Sequence, residues 1–130
     1  MKIMVGFDGS RVAGDALKLG RNHAKAFEAK VCVVTSFVKG TEKNLQEIRG
    51  AEKGLEYAQT IFKEEAVPCE THLLVRGLSP GEDLVQFATE HDVDEIIVGV
   101  RRRSKVEKLI LGSTAQYVIL NAHCPVIAVK

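Results

Sequence analysis

The stretch Glu95-Ile96-Ile97-Val98-Gly99 decides the fold. It is a short, nearly continuous apolar run rich in β-branched residues, and a glycine closes it. Such a run suits a strand covered on both faces, where alternation with polar residues is not required. Upstream, Val31 to Phe37 and Ile3 to Phe7 have the same character, and Val126 to Val129 repeats it near the C-terminus. Cys69 to Val75 is more polar and alternates, which predicts an edge strand.

Helical periodicity fills the gaps between these runs. Ala13, Ala16, Leu17, Gly20, Ala24 and Phe27 step by three or four and give a first helix one apolar face. Leu45, Ile48, Leu55, Ala58 and Phe62 do the same for a longer second helix, with Gly50 and Gly54 as weak points inside it. Leu84, Val85 and Ala88 mark a third helix. Ser79-Pro80-Gly81-Glu82 before it places serine at the cap and proline at the first helical position. Ala115, Val118, Ile119 and Ala122 mark a fourth, with Ser113-Thr114-Ala115-Gln116 in capping-box spacing and Ser113 as the expected cap. Cys124-Pro125 stops that helix before the last strand. The order βαβαβαβαβ predicts a parallel sheet with helices on both faces and right-handed crossovers.

The chain has 130 residues, one domain's length, and residues 1–130 are read as a single domain. Eighteen basic residues against 17 acidic leave a net charge of +1, which excludes a broad nucleic-acid-binding surface. Aromatic residues are 5 % and tryptophan is absent, so platforms for stacking bases are not expected. No apolar run approaches the roughly 20 residues that span a bilayer, and the first run is too short for a secretory signal. Cys32, Cys69 and Cys124 are far apart without a Cys-x-x-Cys pair, which fits reduced thiols, and no metal ligands are expected. The expected compartment is the cytoplasm.

In open parallel sheets, ligands bind beyond the carboxyl ends of the strands, where the strand order reverses. Three segments fall there: Gly6-Phe7-Asp8-Gly9-Ser10, Thr35-Ser36-Phe37, and the residues after Gly99. The last is the most informative. Twelve residues, Val100 to Leu111, separate Gly99 from Gly112-Ser113, longer than strand-to-helix loops usually are. They include Arg101, Arg102, Arg103, Lys105 and Lys108 against one acid, Glu107. A basic loop running into a helix start suits a phosphate, because unpaired N–H groups and the helix dipole favour an anion there. Asp8 admits two readings: a turn-and-cap residue, or a carboxylate that accepts from ribose hydroxyls or a base. His23, His72, His91 and His123 read as surface residues. No nucleophile–base pair, Gly-x-Ser-x-Gly elbow or Walker-type loop occurs.

Taken together, these features resemble the universal stress protein family. The opening Ile3-Met4-Val5-Gly6-Phe7-Asp8-Gly9-Ser10 and the closing Asn121 to Val129 are similar to that family's first and last segments. Its ATP-binding members share Gly-x-x-Gly, nine residues, then Gly-Ser/Thr. Here Gly99, Gly112 and Ser113 hold that spacing, and Arg102 stands where the second glycine would be. The resemblance implies an open five-stranded α/β sheet of order 3-2-1-4-5, Rossmann-like and similar to the adenine nucleotide alpha-hydrolases. It implies ATP or a related adenine nucleotide, with Mg²⁺ brought in by the phosphates. Asp8 would meet the ribose or adenine edge and Ser36 would border the adenine. Gly99, with the backbone around Arg101 and Arg102, would line the phosphates, and Gly112, Ser113 and Thr114 would hold them at the helix start. It also implies a homodimer paired through Val126, Ile127, Ala128 and Val129. Catalysis beyond slow ATP hydrolysis is not expected. The alternative is a dimeric stress protein that binds no nucleotide and acts through protein contacts. A response-regulator receiver is rejected, because Val75-Arg76-Gly77 ends the third strand where an aspartate would be needed.

Overall fold

The computed structural model describes residues 1–100 and 111–130. Its five strands are β1 (Lys2–Gly6), β2 (Lys30–Phe37), β3 (Cys69–Val75), β4 (Glu95–Gly99) and β5 (Val126–Val129). They form one sheet in the order β3-β2-β1-β4-β5, every pair parallel. The order expected from the sequence is therefore the observed one, and the polar third strand lies at an edge. The helices are α1 (Arg11–Phe27), α2 (Leu45–Glu64), α3 (Pro80–Glu90) and α4 (Ser113–Asn121), with a single 3₁₀ turn at Glu42–Asn44 leading into α2.

Side chains alternate across the sheet, and each face meets its own pair of helices. Ile3, Val5, Val31, Val33 and Ile97 pack with Ala13, Ala16 and Leu17 of α1 and with Leu55, Ala58 and Phe62 of α2. Met4, Cys32, Val34, Ile96 and Val98 pack with Leu84, Phe87 and Ala88 of α3 and with Ala115 and Val118 of α4. Burial on both sides explains why these strands read as continuous apolar runs. The weaker apolar character of β3 follows from its place at the sheet edge, where no residue of the strand is fully buried.

Two helix starts differ from expectation. At α3, Ser79 is the cap residue and Pro80 opens the helix, but the Ser79 hydroxyl donates to Glu82 Oε1 at 2.6 Å and caps no backbone N–H. At α4, the cap is Gly112 and Ser113 is the first helical residue, so the expected serine cap is corrected by one position. Gly112 has ordinary cap angles but no side chain, so its own cap bond is missing from the first turn.

Candidate functional site

A cavity of about 500 Å³ opens at the carboxyl ends of β1, β2 and β4. The chain runs from β1 outward to β2 and β3 on one side, and β4 and β5 lie on the other, so the cavity sits where the strand order reverses. Its floor is Gly6 to Gly9, Val34 to Phe37, and Val98 with Gly99. One wall is α2 (Glu47, Gly50, Ala51, Gly54), and the opposite side is the first turns of α3 and α4 (Pro80, Leu84, Thr114, Ala115). The volume falls within the ordinary range for small-molecule sites.

The turn after β1 is built by its own side chains. Asp8 Oδ1 accepts a hydrogen bond from the Ser10 N–H at 2.9 Å. Gly9 between them has φ +80°, a conformation that a side chain would strain. Ser10 then caps α1, its hydroxyl oxygen accepting from the Ala13 N–H at 3.2 Å. The turn-and-cap reading of Asp-Gly-Ser is correct, and Ser10 is the cap. Asp8 remains exposed and lines the cavity.

Ser36 of the floor is held by a buried partner. Its hydroxyl donates to Asp83 Oδ2 at 2.6 Å. Asp83 is fully buried, and its other oxygen accepts from Arg76 Nε, also at 2.6 Å. Arg76 reaches on to Glu90 Oε1 at 3.0 Å. Burial pulls the guanidinium pKa down, but bonding to Asp83 and the two carboxylate charges outweigh it and hold Arg76 above its ordinary value. With its only proton committed to Asp83, Ser36 can offer the cavity only lone pairs. Beneath it, buried Thr35 ties the strand ends together by donating to the Phe7 carbonyl at 2.7 Å.

Of the eight residues expected at the site, Asp8, Ser36, Gly99 and Thr114 line the cavity. Gly112 and Ser113 stand at the exposed start of α4, immediately before Thr114. Arg101 and Arg102 lie outside the described residues. Gly99 has a packing reason of its own: a Cβ there would come within 2.7 Å of Val12 Cγ1 and 3.1 Å of the Val12 carbonyl carbon. The strand end and the first turn of α1 thus touch through a position only glycine can fill.

The α2 wall was not anticipated from the sequence. Gly50 and Gly54 are weak points of the helix by propensity, and both line the cavity. A Cβ on Gly54 would meet Phe7 Cε1 at 2.9 Å, while one on Gly50 would meet nothing within 4 Å. Two glycines four apart on one helix face were the available signal. His23 is likewise not a plain surface histidine, for its Nδ1 lies 2.8 Å from Glu95 Oε1 at the start of β4.

The model of the universal stress protein family matches residues 1–130. A universal stress protein of Methanocaldococcus jannaschii is 34 % identical over 99 % of this chain and 81 % of its own length. One from Thermus aquaticus is 31 % identical over 98 % and 97 %. Among solved structures, a universal stress protein from Archaeoglobus fulgidus superposes with a TM-score of 0.87 at 37 % identity, covering 100 % of this chain and 93 % of that one. A universal stress protein structure from the same organism, in complex with dAMP, gives 0.83 at 35 % identity, covering 100 % and 98 %. The chain belongs to the universal stress protein family.

Proposed function

We propose that this universal stress protein binds an adenine nucleotide, ATP or a related one, in the cavity at the strand ends, and acts as a cytoplasmic stress-response module. The observation that carries the reading is the cavity itself: about 500 Å³ at the reversal point, bounded by Asp8, Ser36, Gly99 and the start of α4. The A. fulgidus relative in complex with dAMP, at 35 % identity, supports the same ligand class. The cytoplasmic part rests on the three free thiols.

The residues suit the parts of such a ligand. Ser36, limited to accepting, suits the exocyclic amine of adenine and opposes the carbonyl that guanine carries at that position. The Asp8 carboxylate suits ribose hydroxyls. The α4 start, where Gly112 supplies no side-chain cap, leaves N–H groups for phosphate, with Ser113 and Thr114 adding hydroxyls. Arg101 and Arg102 would add charge to the same end, and Mg²⁺ would arrive with the phosphates of ATP. No general base is assigned, and the proposed role is occupancy-dependent signalling rather than turnover.

Assembly forms the second part of the proposal. β5 is a terminal strand of the sheet. On its inner side, the Ile96 and Val100 N–H groups donate to the Pro125 and Val129 carbonyls. In a parallel ladder the residues between alternate, so Val126 and Ala128 turn their backbone groups outward. An outward edge with unpaired groups fits a second copy of the same strand across a two-fold axis.

Calorimetric titration of MgATP, AMP and MgGTP into the purified protein tests the nucleotide reading. Binding of the adenine ligands, weakened by Asp8→Ala, is expected. Failure of wild type to bind any of them at millimolar concentration would overturn it.

A further inference from the structure

Away from the cavity, where β2 and β3 run side by side, three donor groups of different chemistry meet on one face of the sheet. Cys32 is in register with Glu70, and His72 lies two residues beyond on the same strand, so all three project to the side covered by α3. The Cys32 sulfur, a Glu70 carboxylate oxygen and a His72 ring nitrogen all lie within 4.8 Å of one another. We propose that Cys32, Glu70 and His72 form a binding site for a divalent ion of the zinc class, with a fourth position open to water.

The distances favour this over an ordinary ion pair. His72 Nε2 and Glu70 Oε2 are 3.4 Å apart, long for an N–H···O hydrogen bond. Two ligand atoms at roughly 2.0–2.1 Å from one tetrahedral ion would be about 3.3–3.4 Å apart, close to that separation. Any closing of the set around an ion falls to the partly exposed Glu70 and His72 side chains rather than to the buried Cys32.

The surroundings prepare the set. Glu70 is held from its other oxygen, Oε1, by Lys30 Nζ at 2.5 Å, which leaves Oε2 turned to His72. Outer partners of this kind orient ligands in metal sites. The His72 ring rests on Phe87, centroids 4.9 Å apart, with His91 6.0 Å away. Cys32 is 1 % exposed. Cysteine ligates as the thiolate, so the ion would replace the thiol proton, which leaves to solvent as the sulfur–metal bond forms, and it would enter from the partly exposed β3 side. No spacing in the sequence announces the site, because its donors come from two strands and meet only in the parallel register.

Tag-free protein, kept reduced, is titrated with ZnCl₂, and with CoCl₂ followed by absorption spectroscopy. One Zn²⁺ per chain is expected, together with a sulfur-to-cobalt charge-transfer band. His72→Ala should weaken zinc binding at least about tenfold, and Cys32→Ala should remove the band. His23→Ala, which dismantles an imidazole–carboxylate pair with no thiol, should change neither. Circular dichroism checks that each variant folds. Should Cys32→Ala fail to fold, the surface change His72→Ala still decides. Absence of stoichiometric zinc binding would overturn the proposal, as would binding that survives His72→Ala or shows no thiolate band.

Discussion

The hydroxyl of Ser36 donates to Asp83 Oδ2 at 2.6 Å, which joins a cavity-lining residue of β2 to a fully buried carboxylate in the first turn of α3. Asp83 is in turn bonded by Arg76, so one buried side chain links the strand end, the loop after β3 and α3. Removing it should matter twice. Asp83→Ala leaves the Ser36 hydroxyl and part of the Arg76 guanidinium without a partner. Arg76 keeps Glu90 and some solvent, so a loss of about 2–4 kcal/mol is expected, read from the urea midpoint.

The milder Asp83→Asn separates selectivity from stability. An amide can donate to Ser36, which frees the serine proton to turn toward the cavity. Wild type should prefer MgATP over MgGTP by roughly 10–100-fold, and the variant should narrow that ratio. An unchanged ratio with normal ATP binding would show that Ser36 does not read the base.

Gly50 and Gly54 predict different outcomes on one helix face. Gly50→Ala meets open space and should stabilise α2 by about 0.5–1 kcal/mol. Gly54→Ala must displace the Phe7 ring, only 2.9 Å away, and should gain less or lose stability. Gly50→Phe should fill cavity space and weaken nucleotide binding without unfolding the chain, as checked by thermal denaturation beside the titration.

Ala128→Pro tests the dimer. Ala128 is exposed, and its N–H faces away from β4, so proline removes an outward donor and spares the inner ladder. Light scattering should give a dimer for wild type and a monomer for the variant. A mass unaffected by the substitution would count against pairing through β5.

Burial raises the pKa of all three thiols, most for Cys69, which is pushed up to about 12. Native protein should therefore react with thiol reagents far more slowly at pH 8 than the same chain in urea. The sign for stability follows: a group kept protonated by folding contributes fully below its unfolded pKa. That contribution should fade as pH rises from about 9 toward 12, seen as a falling urea midpoint.

Much of this molecule was legible in its sequence, for a physical reason. Three strands, β1, β2 and β4, are buried on both faces, and that condition writes itself as unbroken apolar runs such as Ile96-Ile97-Val98. Asp8, Ser36 and Gly99 lie in segments that the parallel-sheet reading placed at the strand ends, Thr114 was expected from the family resemblance, and all four line the cavity. The Asp83–Ser36 and His23–Glu95 contacts were not legible, since they span 47 and 72 residues and depend on packing distances that no local pattern encodes. The α4 cap was misplaced by one because Gly112 and Ser113 are both good cap types, and only the backbone angles decide between them.

The contact between Gly99 and Val12 limits how the cavity can adapt. The end of β4 is seated against the α1 backbone and Thr35 fastens β2 to Phe7, so close packing and a buried hydrogen bond tie the floor together across the reversal point. Should the cavity take nucleotides of different length, the floor offers them little room to adjust, and the fit falls to the opposite wall, where Gly50 and Gly54 of α2 carry no side chains.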